Sequence, residues 1–273
     1  MRRPAPGSPA RRWIAGLLAV VGLAASGCRP ALKLPGPGGI DGPPALAASL
    51  ARHAARVTAL RGDAWVRAEL RGEGGSARQV VVVQAPDRLR IETIGVFGQP
   101  ALVFASGPEA QALFVASEGR FYLGPGVVRR LPYLPRGIGL EEVAALLLGR
   151  VPRAVLAGAA AGRLEVEPRA RRYVLDAVDP DTGRPWRVVV DADGGYPVSV
   201  ALLGRDGEPE VLATFEDFRP TPAGPFPYRI GVVEPGRALE ARVEYGEIDL
   251  NPTLAADAFR LAAPRGAVTV EVE

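Results

Sequence analysis

The residues of this sequence able to do chemistry are few, and their spacing narrows the options. Asp179, Asp181, Asp191 and Asp193 form two acidic pairs, the usual raw material for a cation site or for carboxylate acid–base work. Residues 191–195 (DADGG) open like a calcium loop, but the position eleven residues on, where such a loop needs Glu, is Leu202. Both pairs fall where hairpin turns are expected, and Asp is favoured there by local backbone bonding. His53, the only histidine, sits in a helical pattern and reads as a polar surface residue. No Gly-x-Ser-x-Gly elbow is present, and Gly36-Pro37-Gly38-Gly39 cannot be a phosphate loop without a following Lys and Ser/Thr. Neither a cofactor nor a metal site is expected.

The single cysteine carries a more specific pattern. Four arginines (Arg2, Arg3, Arg11, Arg12) and no acid precede residues 13–25, an uncharged apolar run too short to span a bilayer and right for a signal-peptide core. The run ends in Ala25-Ser26-Gly27-Cys28, which resembles the lipobox of bacterial lipoproteins. That resemblance implies cleavage before Cys28, acylation of its thiol and its new amino group, and anchoring by several acyl chains, where one alone binds only marginally. Arg29, in place of an inner-membrane-retaining Asp, leans towards the outer membrane. Residues 1–27 are thus expected to be a signal peptide, residues 28–44 a Pro/Gly-rich tether, and residues 45–273 a single domain.

Composition excludes several classes without pointing to one. The chain has 273 residues, with 33 Lys+Arg against 30 Asp+Glu for a net charge of +3. Losing the four leader arginines takes the mature chain to −1, leaving no basic stripe for nucleic acid. One Cys excludes an internal disulfide and a Cys-based zinc site. The lone Lys33 beside abundant Arg, Ala, Gly and Pro reflects a GC-rich genome.

Beyond the tether the hydrophobic period sets the elements. Residues 45–60 place Leu46, Leu50, Val57 and Leu60 near helical spacing, and residues 139–149 form a short helix with Glu141 and Glu142 in its first turn and Gly149 as its cap. From residue 63 the period is two. Strands are predicted at 64–71, 78–84, 88–94, 101–106, 111–116, 120–123, 163–167, 171–178, 185–190, 197–203, 210–217, 227–233, 238–248 and 267–272, with turns at Gly74-Gly75, Pro86-Asp87, Gly107-Pro108 and later Asp/Gly pairs. Short gaps predict an antiparallel meander. Residues 80–83, 101–104 and 112–115 are apolar on both faces, so they must be covered twice or line a cavity. Residues 94–100 (IGVFGQP) set Val96 and Phe97 between glycines, either as a plug folded onto the core or as an exposed apolar finger.

Residues 88–98 (RLRIETIGVFG), the strands after them, and the helix running from Leu140 to Gly149-Arg150-Val151-Pro152 resemble LolB, one residue longer at the helix end. Residues 215–218 (FEDF), 227–230 (PYRI), Tyr245 through Asn251-Pro252, Phe259 and Pro264-Arg265-Gly266 are similar to the wider LolA-type lipoprotein-sorting superfamily. The resemblance implies a mainly β fold with a few helices: a curved antiparallel sheet, an unclosed barrel, capped by helices over a hydrophobic cavity. It implies a non-enzymatic role binding acyl chains of lipids or lipoproteins at the outer membrane, facing the periplasm, with a periplasmic carrier protein as donor. Val96 and Phe97 would be the membrane-insertion loop, and Leu102, Phe104, Leu113, Val143 and Leu147 the cavity wall. The alternative is a structural or regulatory lipoprotein that binds a protein partner and fills its cavity with its own side chains.

Overall fold

The computed structural model describes residues 39–273; the expected signal peptide, Cys28 and most of the tether lie outside them. Alternation of apolar and polar residues builds two meanders. The first runs through β1 (Ala59–Leu70), β2 (Glu73–Gln84), β3 (Arg88–Ile94), β4 (Pro100–Ser106), β5 (Gln111–Val115) and β6 (Arg120–Leu123). The second comprises β7 (Arg163–Glu167), β8 (Arg172–Val178), β9 (Pro185–Asp191), β10 (Pro197–Leu203), β11 (Pro209–Arg219), β12 (Phe226–Glu234) and β13 (Leu239–Leu250). They join through antiparallel pairing of β1 with β13, and β14 (Val268–Glu271) is added beside β6. The result is one fourteen-stranded sheet with β14 and β7 as free edges, an unclosed curved sheet. The fold is mainly β.

Among the described residues there are three α-helices, α1 (Pro43–Ala54), α2 (Leu140–Leu147) and α3 (Arg153–Gly158), with α2 and α3 packed on the sheet and α1 on α3. Packing of α1 against α3, and of α3 on β8, buries Leu46, Leu50 and Val155 against the β8 face carrying Tyr173 and Leu175. α2 rests on β2 and β3 with Val143, Leu146 and Leu147 buried. The Glu142 carboxylate accepts the Gly139 N–H at its start, at 2.9 Å. At its end Gly149 takes φ +64°, so that Gly149 N–H donates to Leu146 O and Arg150 N–H to Ala145 O, both at 2.9 Å. This is the paired closure that a left-handed residue permits. A Cβ at Gly149 would also stand 2.8 Å from the Pro227 ring, so no other residue fits.

The buried Tyr245 hydroxyl on β13 donates to Leu147 O at 3.0 Å and fastens the end of α2 to the sheet. Burial pushes its ionisation well above the ordinary tyrosine range. Tyr245→Phe leaves that carbonyl unpaired in an apolar site and is expected to lower unfolding stability by about 1–3 kcal/mol, read as a drop in the urea midpoint.

Several sequence expectations shift. The β1–β2 turn is Arg71-Gly72, both at positive φ (56° and 81°), which matches the strand twist; Gly74 and Gly75 instead lie inside β2. The first helix ends at Ala54 because Ala59 and Leu60 already belong to β1, and it begins inside the expected tether, at Pro43. The last strand is not part of the meander. β14 runs parallel to β6, reached by a long connection across the outer face of β3–β6.

That connection covers part of the outer apolar face. Val81, Val83, Leu89 and Phe104 face inward, while Ala105 and Ala112 face outward beneath the C-terminal strap carrying Phe259 and Leu261. The Arg90 guanidinium, paired with Glu92 at 2.6 Å, donates to Arg260 O at 3.0 Å and ties the strap to β3. Asn251, at the strap's start, takes φ +57° and accepts from Thr58 N–H at 2.8 Å while donating to Arg56 O at 2.7 Å.

Candidate functional site

The inner faces of the central strands do not close against the helices completely. Val66 and Ala68 of β1, Val81 of β2, Ile91 of β3, Leu102 and Phe104 of β4, and Ile230, Val232, Ala241 and Val243 of β12–β13 enclose a cavity of about 250 Å³. Val143, Leu146 and Leu147 of α2 form another wall, and residues 131–135 with Ile138 form its cover. The only polar groups among its lining side chains are those of Gln79, Thr93 and the Tyr133 hydroxyl. The volume exceeds the roughly 150 Å³ that holds a benzene in a protein core and lies just under the 300–1,000 Å³ of typical small-molecule pockets. A lining of this kind offers dispersion and desolvation and carries no Asp, Glu, His, Lys or Arg side chain.

Leu102, Phe104, Val143 and Leu147 stand in the wall of this cavity. Leu113 does not. It pairs with Phe104 and Tyr122 one strand farther out and is buried in the core. Missing from the sequence reading were the cover and the β12–β13 wall. The cover is a Pro-rich loop without period, and Ile230 and Val243 look like any inward strand residue.

The cover is fastened by polar bonds rather than by packing alone. Arg237, just past β12, donates to Leu134 O at 2.9 Å and to Pro132 O at 2.7 Å, and pairs with Glu234 at 2.9 Å. Glu234, only 8% exposed, also accepts the Arg136 N–H at 3.1 Å. Every member of this network is bonded to the loop or to its partner, the condition under which a buried charge pair holds a single arrangement.

The turn between β3 and β4 stands at one end of the cavity wall. Gly98 N–H donates to Gly95 O at 3.0 Å and Gly95 N–H to Gln99 O at 2.8 Å, with Gly98 at φ +83°. Val96 and Phe97 at its tip are 94% and 88% exposed, so the finger does not fold back onto the core. Thr93 and Leu102, both in the cavity wall, are the last regular rung below it.

The other candidate groups are engaged elsewhere. The Asp179 carboxylate accepts from Asp181 N–H and the Thr182 hydroxyl, which holds it below the usual carboxylate range, and Asp191 accepts from Asp193 and Gly194 N–H. Asp193 pairs with Arg171. Burial, and then the nearby Arg56 and Arg150, push the His53 imidazole below its ordinary range. A larger groove of about 930 Å³ between Arg56, residues 220–224 and Ile248–Asn251 is open and polar, and the Asn251 amide there serves the backbone.

No family model matches the sequence, and no curated protein matches it. The fold, however, has solved counterparts. A DUF1329 family protein from Desulfovibrio piger superposes with a TM-score of 0.59 at 9% identity, covering 81% of this chain and 98% of that one. A candidate outer membrane lipoprotein-sorting protein domain from Vibrio parahaemolyticus and a LolA superfamily protein from Nitrosomonas europaea each superpose at 0.55 and 12% identity. They cover 78% of this chain, and 95% and 96% of theirs. The chain has a LolA-type fold. In this LolA-type sheet the cavity lies between the central strands and α2, and the finger stands beside it.

Proposed function

We propose that this protein is an outer-membrane lipoprotein, anchored through acylated Cys28 and facing the periplasm. In this reading it holds an acyl chain of a lipid or lipoprotein in the cavity between β1–β4, β12–β13 and α2, and passes it to the membrane at the Val96–Phe97 finger without chemical catalysis. The observation that carries the reading is an almost wholly hydrocarbon cavity ending one rung below an exposed apolar turn. Each buried methylene contributes about 0.8 kcal/mol, so a chain of modest length supplies a useful affinity. Transfer then runs downhill in affinity, from a periplasmic carrier to the cavity to the bilayer. A cavity left open, rather than filled by the protein's own side chains, weighs against a purely structural lipoprotein.

Ala241, small and half-buried in the cavity wall, gives the test. Ala241→Phe is expected to occupy the cavity with little change in stability, since the added ring enters existing space. Native mass spectrometry of the full chain should show an acyl-lipid adduct for the unaltered protein and none for Ala241→Phe. An adduct that survives the substitution, or no adduct on the unaltered protein after incubation with phospholipid, would overturn the reading.

A further inference from the structure

The cavity wall holds one polar pair whose position has no structural necessity. Gln79 on β2 and Thr93 on β3 face each other across the ladder and point inward between Val81, Ile91 and Leu102. Gln79 Nε2 donates to Thr93 Oγ1 at 3.2 Å. That bond leaves the second Gln79 N–H, its carbonyl and the Thr93 hydroxyl proton available. Apolar side chains of the same shape would serve the wall as well or better, because replacing both partners of such a bond is close to neutral.

We infer that Gln79 and Thr93 recognise the uncharged carbonyl of an ester- or amide-linked acyl chain, and that the cavity discriminates against free carboxylates. The inference rests on the acyl-binding reading above. No Lys, Arg, His, Asp or Glu side chain lines the cavity, so an ionised carboxylate brought to this wall would lose its hydration without meeting a cation. An ester or amide carbonyl needs only a neutral donor, and the pair supplies two. The pair also sets direction. It stands on the last rung below the finger, with Val81, Ile91 and Phe104 one rung deeper. The hydrocarbon tail therefore points into the cavity and the carbonyl stays at the finger end, where the rest of a lipid or lipoprotein would emerge.

The test compares three probes of one chain length, methyl dodecanoate, dodecanoate at pH 8 and dodecane, by displacement of an apolar fluorescent dye. It uses residues 28–273 carrying Cys28→Ser, the mature chain without leader or acyl anchor, so that no detergent is needed. The ester is expected to bind about tenfold or more tightly than the anion. The double variant Gln79→Leu/Thr93→Val should lose about fivefold for the ester, as one net hydrogen bond implies, with dodecane unchanged or tighter. Equal binding of ester and anion by the unaltered protein overturns the inference while leaving the acyl-binding reading intact, and needs no variant to fold. An unchanged ester affinity in a double variant with a normal urea midpoint does the same. Failure of all three probes to displace the dye overturns the acyl-binding reading and the inference with it.

Discussion

A Phe97→Glu protein is expected to keep its stability and its acyl load but deliver that load to phospholipid vesicles roughly a hundredfold more slowly. The side chain is 88% exposed and touches no core residue that would register the loss, so the folding free energy should move by no more than about 0.5 kcal/mol. Entry of a Phe ring into a bilayer is worth about 1.5–3 kcal/mol, and a carboxylate in its place opposes entry. At about 1.4 kcal/mol per factor of ten, two orders of magnitude follow. Transfer of a fluorescent acyl probe from the loaded protein to vesicles measures it, with Phe97→Leu expected to retain most of the rate. Unchanged transfer by Phe97→Glu would remove the finger from the mechanism and leave the cavity untouched.

Deleting residues 252–273 is expected to have the largest effect on stability. Phe259, 6% exposed, closes over Gly107, whose absent Cβ would stand 3.0 Å from Phe259 O. Its loss alone removes about 1.5–3 kcal/mol of apolar burial. The deletion also uncovers Ala105 and Ala112 and strips β14 from β6, including the bonds Val268 N–H to Gly119 O and Val272 N–H to Leu123 O. A total of about 4 kcal/mol or more is expected, with aggregation through the bared β6 edge. Urea unfolding followed by light scattering on refolding reads both. A truncated chain with an unchanged midpoint would show that the strap contributes nothing to the sheet.

Much of this architecture is legible before any coordinates. Period-two alternation and the turn residues locate the strands, with β1 and β2 beginning five residues earlier than the expected 64 and 78. What alternation cannot say is which neighbour a strand takes. The pairing of β1 with β13 and the parallel addition of β14 depend on contacts remote in sequence. Gly74-Gly75 looks like the first turn, yet Arg71-Gly72 makes it, with Leu70 paired to Glu73 and both turn residues at positive φ. In the site, Leu102 and Phe104 stand out as members of a doubly apolar strand. Leu113 carries the same signal but lies one strand beyond the cavity. An inward apolar residue reads identically whether a helix, a neighbour or empty space lies above it. The cover at residues 131–135 has no period to read, since its conformation is set by Arg237 and Glu234 a hundred residues away.

The strand order also has a consequence for biosynthesis. Within each meander, β1–β6 and β7–β13, contacts are made between near neighbours and can form as hairpins while the chain emerges. The seam between the halves is different: Thr58 and Asn251, bonded beside it, are 193 positions apart. Closing so long a span costs entropy that only the completed seam returns, which makes this the slow, high-contact-order event. Until residues 239–250 arrive, β1 has a partner on one side only and offers its other edge to any strand available. A second incomplete copy supplies the same unmatched edge, so stalled or crowded synthesis favours exchange of halves between molecules over closure within one.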